Sequence, residues 1–378
     1  MRHVLRIFNS FIGLFYAKDR IDEKYIPVNT LQKIWTVEYA IWEKNRKRFL
    51  PKAHPRACPG CGSRDHLYLW DSEDGYTYVQ CRTCDFVYVT PCFSYSQWRT
   101  YFKYFNKDAE LVNRKVIDSR FDEDFLAEDK ARFSHYLRQI RKYKREGSVL
   151  DIGCLTGSFL KFSRDLGFQA HGVEYRPYAI EAARKHFGLE LMKGFFEEIA
   201  PHMVKSGQSF DVITFWETLE HMLLPDQALR YTNQLLRPGG LVAITVPNFD
   251  NLQVKLLRQH CFHCIGGAGN AGHINMFTPS TLGRMLVKNG FEVMVMETEG
   301  SSSYYDILLY LSGRYDLIYS YANTMLPARR VPSTQPYFFP PTSMNFLLSL
   351  SPAFRVLESS ILKGAIILVI ARKQEAFT

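Results

Sequence analysis

From residue 148 onward, short apolar runs alternate with segments whose apolar positions recur every three to four residues. The runs fall at 149–152, 170–173, 212–215, 241–246, 291–296 and 365–370. Short, bounded apolar runs of this kind predict buried strands. Between them, 158–166, 177–187, 226–236 and 279–289 carry the helical period. Gly167, Gly188 and Gly290 stand where helix C-caps belong, and Thr278 before Pro279 reads as an N-cap with proline at the first helical position. Strands alternating with helices predict an α/β fold on a parallel sheet.

The rest of the chain divides around this core. Residues 1–57 read as a helical extension of mixed charge, ending in the broken segment 51–55. Its first 16 residues put Val4, Leu5, Phe8, Phe11, Ile12 and Phe15 on one helical stripe. That stripe predicts a helix docked on the chain's own body or one lying on a membrane surface. Residues 58–95 hold paired cysteines and β-type runs at 67–70 and 86–89. Residues 96–146 read as linker helices. The α/β core spans 147–300 and 363–374, interrupted at 301–362 by a Tyr- and Leu-rich helical insertion, or lid, before the last strand.

Composition narrows the class. The chain has 378 residues, 46% hydrophobic and 22% charged, which excludes a disordered chain, a collagen-like repeat and a disulfide-packed miniprotein. The formal net charge of +9 permits anionic partners and selects none. No charge-free run long enough to span a membrane is present. Arg6 and Asn9 interrupt the first apolar stretch and no small-residue cleavage site follows, so no signal peptide is expected. The eight cysteines lack the spacing of a secreted disulfide framework. They point to metal binding in a reducing compartment, and so to the cytoplasm.

Cys58 and Cys61, then Cys81 and Cys84, form two C-x2-C pairs separated by 19 residues. Each pair places two thiolates on one tight turn, and two such turns make a tetrahedral four-sulfur cage suited to structural zinc. Four thiolates leave no open position on the metal, so the cage is expected to hold the fold. Cys92 stands outside this pattern. A second cluster, His260, Cys261, His263 and Cys264, is too crowded in sequence to surround one ion readily and reads as loop.

The segment from Val149 through Asp151, Gly153, Leu155 and Gly157 reads as a strand, a glycine turn and a helix beginning near Ser158. Such a turn lets a ligand approach the backbone closely. Twenty-three residues beyond Asp151 the next strand ends at Glu174, where a carboxylate can accept from both hydroxyls of a ribose.

On these residues the chain resembles the class I S-adenosylmethionine-dependent methyltransferases, over roughly 148–299 and 364–373. The resemblance implies a Rossmann-like methyltransferase sheet. It implies that Asp151, Gly153 and Gly157 shape the amino-acid end of the cofactor pocket and that Glu174 holds the ribose. Phe195 and Phe196 would lie near the adenine, and Phe215 and Trp216 would flank the sulfonium. The turn's middle position, usually glycine in the family, is Leu155, which puts a side chain where the cofactor approaches. With the cysteine module in front, the whole is similar to a bacterial group of zinc-ribbon methyltransferases associated with sugars and polysaccharides.

Glu217, Glu220 and His221 follow the 212–215 run at i, i+3 and i+4, so one helical turn would aim all three the same way. His273 follows the next strand. The set is similar to the E-x-x-E-H plus distant His site of plant-type small-RNA 2′-O-methyltransferases and of ubiquinone-pathway O-methyltransferases, which implies a divalent ion. A metal-free base at His221 or His273, and a structural role, stay open beside it.

The function expected is O-methylation of a sugar, glycolipid or other small-molecule acceptor, with a lipid-linked acceptor allowing peripheral contact with the inner membrane face. An RNA methyltransferase would use the ribbon and basic surface to grip phosphates. Concentrated Lys/Arg runs occur only at 44–48 and 138–145, which ranks RNA second. A non-catalytic scaffold that kept the fold is the remaining reading.

Overall fold

The computed structural model describes residues 52–71, 76–100, 114, 117–251, 254–255, 273–299 and 365–374. The amphipathic stripe, the 260–264 cluster and the 301–362 insertion lie outside the described residues.

The chain first forms an antiparallel ribbon of β1 (His66–Asp71), β2 (Thr77–Cys81) and β3 (Val87–Thr90). Helix α1 (Glu123–Arg141) leads into the core. There follow β4 (Gly147–Ile152), α2 (Ser158–Asp165), β5 (Phe168–Glu174), α3 (Pro177–Phe187), β6 (Met192–Lys193), α4 (Phe196–Lys205) and β7 (Phe210–Trp216). After them come α5 (Pro225–Leu235), β8 (Leu236–Pro247), β9 (Asn275–Met276), α6 (Pro279–Lys288), β10 (Phe291–Glu299) and β11 (Ile366–Lys373).

Seven strands form one sheet in the order β10-β11-β8-β7-β4-β5-β6. From β8 to β6 the neighbours are parallel, while β11 runs antiparallel to both β8 and β10. This is the expected α/β Rossmann-like sheet, with its antiparallel last strand inserted at one side. Strand β4 from Ser148 and strand β8 from Gly240 to Val246 are buried on both faces, as a covered parallel sheet requires. Helix α3 begins at Pro177 and ends at Gly188, which takes the left-handed conformation with φ +60°. Thr278 caps α6 through a reciprocal box with Thr281.

The topology positions a crevice. The chain runs outward from β4 through β5 to β6, then returns to place β7 on the other side of β4. Loops leaving the carboxyl ends of β4, β5 and β7 therefore converge at the switch point, where open α/β sheets bind ligands.

The ribbon does not stand apart. Its sheet gains a fourth strand from the core, with β3 pairing β9 through Val87↔Met276 and Tyr88↔Asn275. Cys58, Cys81, Phe86 and Tyr88 share one buried cluster with Phe215, Ile244 and Val246 of the main sheet. Phe86 meets Phe277 edge-on, ring centroids 5.1 Å apart. Burying each such aromatic contributes about 2–3 kcal/mol, so ribbon and core stabilise one another. Cys92 finds a place here as well: it bridges His54 in antiparallel fashion and its thiol is buried beside Arg56. Among the described residues no helix is long and apolar enough to cross a membrane.

Candidate functional site

The two cysteine turns face each other. Cys58 Sγ lies 3.5 Å from Cys84 Sγ, and Cys61 Sγ lies 3.5 Å from Cys81 Sγ. All four sulfurs fall within 4.8 Å of one another, and none is in a disulfide. Free thiols converging on one point make a soft, tetrahedral donor set that fits zinc.

At the end of β4 the turn is built on two glycines that no other residue replaces cheaply. Gly153 has φ +71°, and a Cβ there would lie 2.8 Å from the Thr218 side chain; Gly157 has φ +76°, and its Cβ would lie 2.6 Å from Leu189. Leu155 itself takes φ +48°, the left-handed conformation that favours glycine. Its amide donates to Glu174 Oε2 at 2.9 Å. The Leu155 side chain packs with Ile117, Tyr178, Ala179 and Ala182, against α3 and the segment before α1.

Asp151 is fully buried in β4 and accepts from Thr214 Oγ1 at 2.7 Å. Burial pushes its carboxyl up to about 8, opposed by that hydrogen bond. Glu174 ends β5 and is also buried. Besides Leu155, its carboxylate accepts from the amides of Tyr175 and Arg176, each at 2.9 Å, and from the Arg176 guanidinium.

The aromatic residues divide. Phe195, at the start of α4, stacks on Tyr175 with centroids 4.7 Å apart and planes 16° apart, next to the Glu174 carboxylate. Phe196 and Phe215 do not join it. They meet each other edge-on at 5.8 Å inside the core. Successive strand residues point to opposite faces, and Trp216 accordingly turns the other way. It stacks on Tyr136 of α1 at 4.8 Å, against Phe159 and Phe133.

After β7 the predicted helical turn does not form. Glu217 has φ +49°, and the helix that follows is a single 3-10 turn, Leu219–His221. The i, i+3, i+4 alignment therefore fails, and Glu217 falls outside the group that converges. That group is Glu220, His221 and His273, whose ligand atoms lie within 4.8 Å of one another. Glu220 Oε1 is 3.7 Å from His221 Nε2 and 3.9 Å from His273 Nε2. The two imidazoles meet at 4.8 Å. Glu220 is buried, and neither carboxylate oxygen has a hydrogen-bond partner among the described residues. Burial raises its carboxyl well above the usual range, with the Glu217 charge adding to the effect.

Four residues near the site escaped the sequence analysis. Tyr175 and Arg176 were visible as an aromatic and a base directly after the acid. Tyr136 and Asn275 carried no local signal, since α1 and β9 reach the site only through tertiary packing.

Residues 120–295 match the family model described as a methyltransferase domain. The chain is 28% identical over 130 residues to the ubiquinone biosynthesis O-methyltransferase of Pelagibacter ubique, covering 34% of this chain and 52% of that one. With the enzyme of the same name from Saccharophagus degradans it shares 31% over 164 residues, covering 40% and 66%. A solved SAM-dependent methyltransferase from Archaeoglobus fulgidus aligns with a TM-score of 0.42 at 18% identity, covering 67% of this chain and 100% of that one. The chain spans about half the length of the curated relatives it matches.

Proposed function

We propose that the chain is an S-adenosylmethionine-dependent methyltransferase that O-methylates a small-molecule acceptor, with a sugar or glycolipid as the favoured class. The single observation carrying this reading is the pairing of the β4 glycine turn with Glu174 at the sheet's switch point, beside a histidine-rich cluster at the end of β7. The residues fit the cofactor: the Gly153–Gly157 backbone offers close approach, Glu174 can accept from a ribose, and the Tyr175–Phe195 stack offers an aromatic wall for the adenine. When bound, the cofactor supplies an electrophilic methyl group.

The chain's own residues orient the acceptor and take its proton. His221 and His273 each offer a ring nitrogen for an acceptor hydroxyl, and a base of near-neutral pKa contributes about 10²–10⁴-fold. Buried Glu220 stabilises the imidazolium that forms on either ring. The same three side chains, one carboxylate and two imidazoles, also fit a divalent ion, which would orient acceptor hydroxyls. The Glu220 oxygens, buried and without a hydrogen-bond partner among the described residues, favour a cation at this point, whether imidazolium or metal. Zinc in the cysteine cage would be structural. Cysteine pairs spaced for a metal favour a reducing compartment and so the cytoplasm, with contact at the membrane's inner face where the acceptor is lipid-linked.

Labelled methyl transfer from S-adenosylmethionine into fractionated cell extract tests the reading. Label in glycan or lipid supports it, and label in RNA moves the acceptor class. No cofactor binding by folded protein in calorimetry would mark a scaffold.

A further inference from the structure

We propose that Arg56 and Asn275 are positioning residues that impose the geometry of the cysteine ribbon on the Glu220, His221 and His273 cluster. The inference rests on the catalytic reading of that cluster.

Neither segment bearing the cluster has a firm element of its own. Glu220 and His221 ride on one 3-10 turn, and His273 lies just ahead of the two-residue strand β9. Their placement has to come from what grips the backbone on either side. Asn275 is buried and uses its whole amide for this. Its Nδ2 donates to the carbonyls of Glu220 and Met222, at 3.2 and 2.6 Å, which grips the middle of the turn and the residue that follows it. The Ile274 amide donates to the same Glu220 carbonyl at 3.1 Å. One side chain and one amide therefore join the His273 strand to the Glu220 turn.

The other half of the joint belongs to the ribbon. Arg56 precedes Cys58 by two residues, and its Nη2 donates to Ile274 O at 2.8 Å and to Asn275 Oδ1 at 2.9 Å. Its guanidinium lies over the Tyr88 ring, 5.4 Å from the centroid, and Tyr88 is the β3 residue that opposes Asn275. The Val89 amide also donates to Ile274 O, at 3.1 Å. The ribbon thus holds residues 274 and 275 by strand pairing and by two hydrogen bonds from one guanidinium nitrogen. The Arg56 guanidinium is planar, lies over Tyr88 and beside Cys92, and so fixes the directions of its Nη2 donors, whereas a lysine ammonium is a rotating point charge on a flexible stem. The cysteine cage, remote from the chemistry in sequence, becomes the anchor from which the spacing of one carboxylate and two imidazoles is set.

The test uses the full-length, metal-loaded chain. Imidazole proton–carbon NMR signals of His221 and His273 are assigned with His221→Gln and His273→Gln, then followed in Arg56→Lys and Asn275→Asp. Arg56→Lys keeps the charge and loses the planar guanidinium whose ring contact fixes the direction of its donors. Asn275→Asp keeps the Arg56 contact and turns the donors facing two carbonyls into acceptors. Both variants are expected to shift the His221 and His273 signals, with His171 and His202 unmoved, metal content retained and S-adenosylmethionine affinity within twofold of the parent. Unshifted His221 and His273 signals in a folded variant would overturn the proposal; should one variant fold poorly, the other decides. A parent chain that binds no S-adenosylmethionine yet shows the shifts would remove the catalytic reading and leave the mechanical joint standing.

Discussion

Arg176 lies bidentate across Glu174, with Nε 3.0 Å from Oε1 and Nη2 3.3 Å from Oε2. Three backbone amides already point at the same carboxylate. A ribose that reaches Glu174 must therefore compete with the guanidinium. Arg176→Ala is expected to tighten S-adenosylmethionine binding several-fold in calorimetry. It should also lower stability by about 2 kcal/mol, because charged hydrogen bonds to a buried carboxylate are lost. Glu174→Ala should weaken binding markedly. Wild-type affinity in both variants would put the ribose elsewhere.

Asp151 makes stability depend on pH. Its carboxyl is raised from an ordinary 3.8 to about 8, so between those values the folded chain holds a proton that the unfolded chain releases. The stabilisation is complete below the unfolded value and falls as pH rises, by about 1.4 kcal/mol per unit from this group. Asn in its place still accepts from Thr214 and does not titrate. Urea unfolding of Asp151→Asn should show a flatter slope than the parent between about pH 5 and pH 7.

Removing one thiolate should reach the whole core. Cys81 is fully buried and packs in the same cluster as β7 and β8. Cys81→Ser is expected to lose the bound metal, read by elemental analysis, and to lower the melting temperature of the entire cooperative transition. A separate early transition, with the main one unmoved, would show the ribbon to be energetically independent.

His273→Gln and His221→Gln should each reduce methyl transfer about a hundredfold or more and leave cofactor affinity unchanged. Glu220→Gln separates the two uses of the cluster. Loss of metal beyond the one ion per chain held by the cysteines assigns Glu220 to an ion, while unchanged metal content with a shifted pH–rate profile assigns it to a histidine base.

Elements punctuated by their own residues were legible in the sequence. Pro177 and Gly188 fix both ends of α3, and the apolar runs of β4, β7 and β8 fall where expected. What the sequence did not reveal depends on contacts made at a distance or on backbone that departs from a regular period. β9 is two residues long and exists because β3 lies beside it. Glu217 takes φ +49°, which no spacing rule anticipates, and so breaks the alignment that grouped it with Glu220. Alternation along β7 sends Phe215 against Phe196 and Trp216 to the opposite face against Tyr136, partners that no local spacing names. The cysteine cage and the glycine turn were legible because each encodes its geometry within a few residues.

The pairing of β3 with β9 also dictates an order of events during synthesis. The cysteine turns leave the ribosome early, but the carbonyl that Arg56 grips lies 218 residues further along the chain. Until that stretch has been translated, the outer edge of β3 presents unpaired backbone groups, a template for association with other nascent chains. Early metal capture can close the cage, yet the exposed margin is sealed only when the later strand arrives.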